Sequence, residues 1–317
     1  MNCLGLESTA HTFGVGIFDG TPRANAKALY RSSGGIHPRE ASQFMTENAA
    51  GIMDKALADS GMKLDEIDCF SFAQGPGLGP CLRVGAAIAK TLSEYYSKPL
   101  IGVNHCVAHI EVGKWFGKAE DPLVVYVSGA NTQILGLNGG KYRVYGETLD
   151  IGLGNAIDVF GRSIGLSFPA GPEVEKLAAQ STEYTALPYS VKGMDLAFAG
   201  LVTAATKTRL PPAALCHSFQ ETAFGMLVEV SERALAHTKK KELMLVGGVA
   251  QNKRLCAMLS QMAGEHGARF LVPANEYNAD NALMIALTGW LMHKAGHKQD
   301  DYKTNQKWRT DEVDIDW

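Results

Sequence analysis

His105 and His109 stand four residues apart in a stretch, 105–116, whose pattern predicts a helix. That spacing puts both imidazoles on one helix face about a turn apart, where they can share a metal ion. The same spacing more often serves a histidine pair packed on a sheet or facing solvent, so the pair alone does not decide. A zinc peptidase helix reads H-E-x-x-H, with the glutamate as general base. Here Cys106 follows the first histidine, which removes that base and turns the reading away from peptide hydrolysis. Two further oxygen ligands suit a folded chain: Tyr126, which ends a predicted central strand, and Asp280, which opens the last predicted helix. Asp280 there also suits plain capping of helix amides.

A second group of residues invites an anion. Ser128, Gly129, Ala130 and Asn131, then Gly152, Leu153 and Gly154, then Gly247, Gly248, Val249, Ala250, Gln251 and Asn252, each follow or flank a predicted strand. Such loops offer backbone N–H groups to a phosphate, although each taken singly is more often an ordinary turn. Asp158 and Glu175 have the chemistry to accept hydrogen bonds from ribose hydroxyls.

The elements that must position these residues repeat. Strands are predicted at 3–6, 12–18 and 27–31, with Asp19-Gly20 as a hairpin turn. After the loop 32–37, a helix runs from Pro38 to about Ser60 and ends at Gly61. Strand 67–73, loop 75–80, helix 81–96, strand 100–103 and helix 105–116 follow, and 117–122 has linker composition. Beyond it come strands 123–127, 132–137 and 142–145, then helices, strand 243–246, a helix, strand 269–272 and the last helix. Shifted by about 120 positions, Ser8, Ala10, Thr12, Gly16 and Gly20 fall on Ser128, Ala130, Thr132, Gly136 and Gly140. A duplicated strand-turn-strand unit explains both. The expected organisation is an α/β chain with a first lobe at 1–120, a second at 121–293, a ligand cleft shared between them, and a polar tail at 294–317. The last helix reads as the second-lobe counterpart of the His105 helix.

The bulk properties narrow the function. The 317 residues suffice for two cores, and the net charge of −3 argues against gripping nucleic acid unaided. The six cysteines show no C-x-x-C pair or regular framework, which predicts thiols in a reducing cytoplasm. Neither a basic, apolar leader nor an apolar run near the roughly 18 residues of a bilayer span is found, so no membrane role is expected.

The runs Gly5-Leu6-Glu7-Ser8-Thr9-Ala10-His11-Thr12, Asn104-His105-Cys106-Val107-Ala108-His109, Tyr126-Val127-Ser128-Gly129-Ala130-Asn131-Thr132, Gly247-Gly248-Val249-Ala250-Gln251-Asn252 and Asn278-Ala279-Asp280-Asn281 occur in one order. In them the chain resembles the TsaD family, most closely its archaeal and eukaryotic members, the catalytic subunits of the KEOPS complex. The resemblance implies an actin, sugar-kinase and Hsp70-like (ASKHA) fold with two mixed sheets and a central cleft. It implies transfer of threonylcarbamoyl from threonylcarbamoyl-adenylate to N6 of the adenosine beside the anticodon, in tRNAs reading codons that begin with A, with release of AMP. It assigns one divalent metal, iron or zinc, to His105, His109, Tyr126 and Asp280. It assigns the adenine nucleotide or adenylate to Tyr126, Val127, Ser128, Gly129, Ala130, Asp158, Gly171, Glu175 and Asn252. His11, where bacterial relatives usually have an acidic residue, and Glu7 are further candidates for catalysis in the cleft. The loop 35–40 also matches, as a contact for tRNA or a partner. Expected partners are tRNA and KEOPS subunits, including a small protein kinase/ATPase on a separate chain and a small dimerisation subunit. Ala130, Ala170, Ala197 and Ala199 depart from the glycines and hydroxyl residues of many relatives, which bears on fine substrate contacts. A metallopeptidase and a non-catalytic nucleotide-binding scaffold are the alternatives, disfavoured respectively by Cys106 and by the retained His105, His109 and Asp280.

Overall fold

The structure is a computed structural model that describes residues 1–32, 35–298 and 302–317. Parts of the predicted 32–37 loop and of the polar tail, at 33–34 and 299–301, lie outside the described residues. The chain divides into two compact units, Met1–Trp115 with Ala279–Trp317, and Phe116–Asn278.

In the first unit, β1 (Cys3–Glu7), β2 (Thr12–Phe18) and β3 (Pro22–Leu29) form an antiparallel meander. Gly20, at φ +110°, makes the turn, and the Asp19 carboxylate accepts a hydrogen bond from the Thr21 N–H at 3.1 Å. The turn is so tight that pairing resumes at once, with Phe18 opposite Pro22, so β3 starts several residues earlier than expected. Helix α1 (Pro38–Ser60) opens with its proline and ends on Gly61 at φ +68°. Then come β4 (Cys69–Gly75), α2 (Gly79–Tyr96), β5 (Leu100–Asn104) and α3 (His105–Gly117), whose last two residues fall in the second unit. The sheet order is β3-β2-β1-β4-β5, with β4 parallel to both β1 and β5. Phe13, Val15, Phe70, Phe72, Met45 and Ala89 are buried where α1 and α2 cover one face.

The second unit repeats the plan. β6 (Leu123–Val127), β7 (Thr132–Asn138) and β8 (Lys141–Glu147) form its meander. α4 (Leu153–Ser163), α5 (Gly171–Ala178), the small hairpin β9 (Val191–Lys192) and β10 (Asp195–Leu196), α6 (Ala199–Lys207) and α7 (Pro212–Thr238) follow. β11 (Glu242–Val246), α8 (Lys253–Glu265), β12 (Arg269–Leu271) and α9 (Asn275–Asn278) complete it. The order β8-β7-β6-β11-β12, with β11 parallel to both β6 and β12, matches the first sheet strand for strand. Its core gathers on α7, where Phe219 stacks on Phe160 at 4.1 Å.

The last helix, α10 (Ala282–Lys294), corrects the expected boundaries. It belongs to the first unit, not to a second lobe ending at 293, although in chain order it follows β12 as α3 follows β5. The reason is steric and apolar. Residues 282–290 are buried on every side of the helix, so it needs a sheet face to cover it. The first sheet admits it closely because it carries glycines: a Cβ at Gly5 would lie 2.3 Å from the Ala286 N, and one at Gly16 2.5 Å from the Ala282 carbonyl carbon. The polar tail also lies against the first unit, where Asn305 N–H donates to Gln74 O at 2.8 Å. No helix among the described residues is long and apolar enough to cross a membrane.

Gly5→Ala therefore forces backbone against backbone. It is expected to destabilise the first unit by about 2–3 kcal/mol, seen as an earlier unfolding transition in urea. An unchanged transition would show that α10 does not bear on β1.

Candidate metal centre

The chemistry of the first unit gathers where β1 ends, α3 begins and α10 starts. β5 runs straight into α3, so His105 is the helix's first residue and His109 lies one turn on. Asn104 takes the place of a cap: its Oδ1 accepts from the N–H groups of Cys106 at 3.0 Å and Val107 at 3.1 Å. At α10 the cap is Asn281, whose Oδ1 accepts from Met284 N–H at 3.1 Å. Asp280 is thus spared the capping duty that its position suggested. Lys27 holds its backbone carbonyl at 3.1 Å, and the carboxylate turns to the histidines.

Asp280 Oδ1 lies 3.3 Å from His109 Nε2 and 3.6 Å from His105 Nε2. The rings meet edge to face with centroids 4.8 Å apart. On its other side His105 Nδ1 faces Glu7 Oε2 at 3.0 Å. Glu7 is wholly buried, and its second oxygen accepts from the Thr9 N–H at 2.7 Å and the Thr9 hydroxyl at 2.5 Å. This network assigns the Nδ1 proton of His105 to Glu7 and leaves Nε2 pointing at Asp280. His11, with about a third of its side chain exposed, stands 3.9 Å from Asp280 Oδ2.

Burial disfavours the His105 imidazolium, but the charge and hydrogen bond of Glu7, with Asp280 behind them, outweigh it and raise its pKa to about 9. Burial pushes His109 down, against its hydrogen bond to Asp280 and reinforced by the charge of His105. Burial works to raise Asp280, yet the His109 hydrogen bond and the charges of His105 and His11 hold it well below the usual carboxylate range.

The ligating atoms of His105, His109 and Asp280 all lie within 4.8 Å of one another. Two nitrogens and one carboxylate at that separation, with a carboxylate behind one ring, are a fitting donor set for zinc or iron(II). The structure brings His105, His109, Asp280, Glu7 and His11 close to one another. Tyr126 is buried at the end of β6, in the second unit, and so is not part of the unit that carries the three. Thr9, Asn104 and Lys27 join the group through bonds that lie outside the sequence motif of paired histidines. An asparagine before an apolar helix is a legible cap signal, whereas nothing local marks Thr9 or Lys27.

The nucleotide candidates all lie in the second unit. Loop 128–131 closes on itself through Ser128 N–H to Asn131 O at 2.8 Å and Asn131 N–H to Ser128 Oγ at 3.1 Å. It rests on the start of α4, with Gly154 N–H donating to Ser128 O at 3.1 Å and Asn155 N–H to Gly129 O at 3.0 Å. Gly152 permits this approach, since a Cβ there would lie 2.6 Å from Ala130 O. Gly129 and Ala130 are exposed at the tip. Asp158 accepts from Ala170 N–H at 2.7 Å, just before Gly171, and Glu175 accepts from Lys253 N–H at 2.7 Å. Asn252 caps α8 through Leu255 N–H at 3.0 Å. The loop at the end of β11 reaches the end of β6, where Gly247 at φ +98° has room for no Cβ beside Val127 O, 2.3 Å away. The ribose candidates thus hold helix starts, a role their residue types did not reveal.

The sequence pattern of TsaD, tRNA N6-adenosine threonylcarbamoyltransferase, matches residues 22–287. The chain is 50% identical over 327 residues to the tRNA N6-adenosine threonylcarbamoyltransferase of Thermococcus kodakarensis, covering 100% of both chains. It is 51% identical over 325 residues to that of Thermococcus gammatolerans, again covering 100% of each. Among solved structures, HypF of T. kodakarensis superimposes with a TM-score of 0.66 at 12% identity, over 93% of this chain and 48% of that one. That likeness shows the fold, the ASKHA class.

The metal-free protein keeps a proton on His105 up to about pH 9, whereas a ligand imidazole must be neutral at the metal-binding nitrogen. Zinc uptake at pH 7–8 is therefore expected to release about one proton from His105 per ion, and apparent affinity to rise with pH towards 9. Calorimetry in two buffers of different ionisation enthalpy measures this, and an affinity flat from pH 7 to 9 contradicts it. Glu7→Gln is expected to weaken zinc by about 10–100-fold and to lessen the proton release.

Proposed function

The chain belongs to the TsaD family of tRNA N6-adenosine threonylcarbamoyltransferases, and from that premise we propose that it moves threonylcarbamoyl from threonylcarbamoyl-adenylate to N6 of the adenosine beside the anticodon. The observation that carries the reading is the first-unit group of His105, His109 and Asp280, backed by buried Glu7. The expected tRNAs read codons that begin with A. The setting is the cytoplasm, with partner subunits supplying the basic surface that a net charge of −3 lacks.

In this reading His105, His109 and Asp280 hold one divalent ion, iron or zinc. Bound there, such an ion supplies Lewis-acid stabilisation of negative charge on a substrate oxygen. Glu7 fixes the His105 ring and Thr9 fixes Glu7, so the donor atoms need no rearrangement. The exposed backbone at Gly129 and Ala130 is suited to the adenylate phosphate, and Asp158 and Glu175 to its ribose. In the transfer, N6 forms a bond to the carbamoyl carbon, the bond from that carbon to the phosphate oxygen breaks, and AMP leaves. N6 gives up one proton, and in this reading its acceptor is His11, the least buried imidazole of the group, about a third of whose side chain is exposed.

No observation favours a peptidase. Glu7, the carboxylate beside His105, is wholly buried behind Nδ1 and already shared between Thr9 and His105, so it is no base for an attacking water.

Supplied with threonylcarbamoyl-adenylate, unmodified tRNA and partner subunits, the protein is expected to form the modified nucleoside, detected by mass spectrometry of digested tRNA. His109→Ala should abolish it with the fold intact. His11→Gln should keep the metal and slow the transfer by about 10²-fold or more. Full modification by a metal-free His109→Ala protein would overturn the metal-dependent reading.

A further inference from the structure

The C-terminal segment runs to the base of the metal-binding helix. Asn104, 2% exposed, uses both ends of its amide. Its oxygen caps α3 through Cys106 and Val107, while its Nδ2 lies 3.3 Å from Trp308 O and 3.4 Å from Arg309 O. One side chain thus joins the first turn of α3 to a segment some two hundred residues further on.

A second route leads from the same segment to His105. Gln74 exchanges hydrogen bonds with it, from Asn305 N–H to Gln74 O at 2.8 Å and from Gln74 Nε2 to Lys303 O at 2.7 Å. Gly77 N–H donates to Gln306 O at 3.3 Å, and the neighbouring Leu78 N–H donates to Thr9 O at 2.8 Å. Thr9 in turn holds Glu7, which holds His105. The approach is built in, because a Cβ at Gly75 would lie 1.8 Å from Asn305 O. Beyond Trp308 and Arg309, Thr310, Val313 and Ile315 are buried, so the segment is held on the far side of its contact with Asn104 as well as at Gln74.

We propose that residues 302–317 are a brace for the metal-binding helix and that Asn104 is the positioning residue through which the brace acts on His105 and His109. The inference rests on the metal site proposed above. Asn104 touches neither substrate nor ion in this scheme; it fixes where α3 starts, and so the direction of two of the three ligands.

Asn104→Ser separates its two duties. A serine still caps the helix, adds no charge, and has no second group to reach Trp308 and Arg309. The probe is zinc alone, titrated into the full chain against a chromophoric chelator, with hydrogen exchange read in parallel. The expected result is a zinc affinity lowered about tenfold, the lower end of the cost of disturbing outer-sphere support, with faster exchange over 302–317 and a retained α3. Removing residues 302–317 should lower affinity at least as much, since it also severs the contacts to Gln74 and Gly77, and adding Asn104→Ser to that truncation should change it no further. Should the truncated chain not fold, the serine variant decides alone. Zinc affinity unchanged in Asn104→Ser, in a protein whose wild type binds zinc and whose His109→Ala variant does not, overturns the brace. Absence of zinc binding by the wild type overturns the metal site itself, and the brace with it.

Discussion

Taking a carboxylate wholly out of water costs several kcal/mol unless hydrogen bonds and opposite charge replace its lost hydration. Glu7 is such a carboxylate. Three donors replace its water: the Thr9 N–H, the Thr9 hydroxyl and His105 Nδ1. This arrangement has two consequences for His105. Its ring cannot turn, and its remaining nitrogen is directed at Asp280. In the metal-free protein the compensation is an imidazolium, and the pKa near 9 expresses it. A divalent ion held by His105 would meet the same demand with more charge, so the buried carboxylate favours either a proton or a cation on that ring.

The demand extends to the sheet. Asp280 must come close to α3, yet it is attached to a helix on a face of the sheet made by strands from the other end of the sequence. Gly5 and Gly16 solve the problem by leaving no side chain between sheet and helix backbone. Glycine in a strand ordinarily weakens it through entropy and lost packing. Here the cost is offset by the burial of α10, whose Leu283, Met284, Ile285 and Leu287 are each worth about 1.5–3 kcal/mol when fully covered. The same contact that secures the core fixes where the Asp280 carboxylate sits beside the two histidines.

How far the sequence revealed all this depended on whether the signal was local. Periodicity placed most elements within a few residues, because Pro38, Gly61 and the Asp19-Gly20 turn act on their own neighbours. The duplicated order also showed in Ser8 and Ser128, which follow β1 and β6 alike. What failed was the assignment of α10. A helix apolar all round carries no stripe that names the face it will cover, and chain proximity suggested the wrong sheet. The glycines that admit it were legible as glycines, not as a helix seat. In the site, the i, i+4 histidines announced themselves, while Thr9 and the far amide of Asn104 act through partners remote in sequence, which no spacing reports.

Duplication explains the likeness of the units, and residue type explains their difference. β1 ends in Glu7-Ser8-Thr9, and β6 ends in Val127-Ser128-Gly129. The strand-turn-strand topology is shared, so the backbone at both turns follows a similar course. In the first copy a buried carboxylate at the strand end gives the turn a negative interior, and the hydroxyl of Thr9 is spent holding it. In the second, valine at the corresponding position leaves no charge there, and Gly129 leaves the turn backbone bare and exposed. Bare amides at a turn attract anions, whereas a buried carboxylate behind an imidazole attracts cations. Glu against Val and Thr against Gly on one topology thus give one turn a buried carboxylate behind an imidazole and the other an exposed, uncharged backbone, without any change in the order of strands.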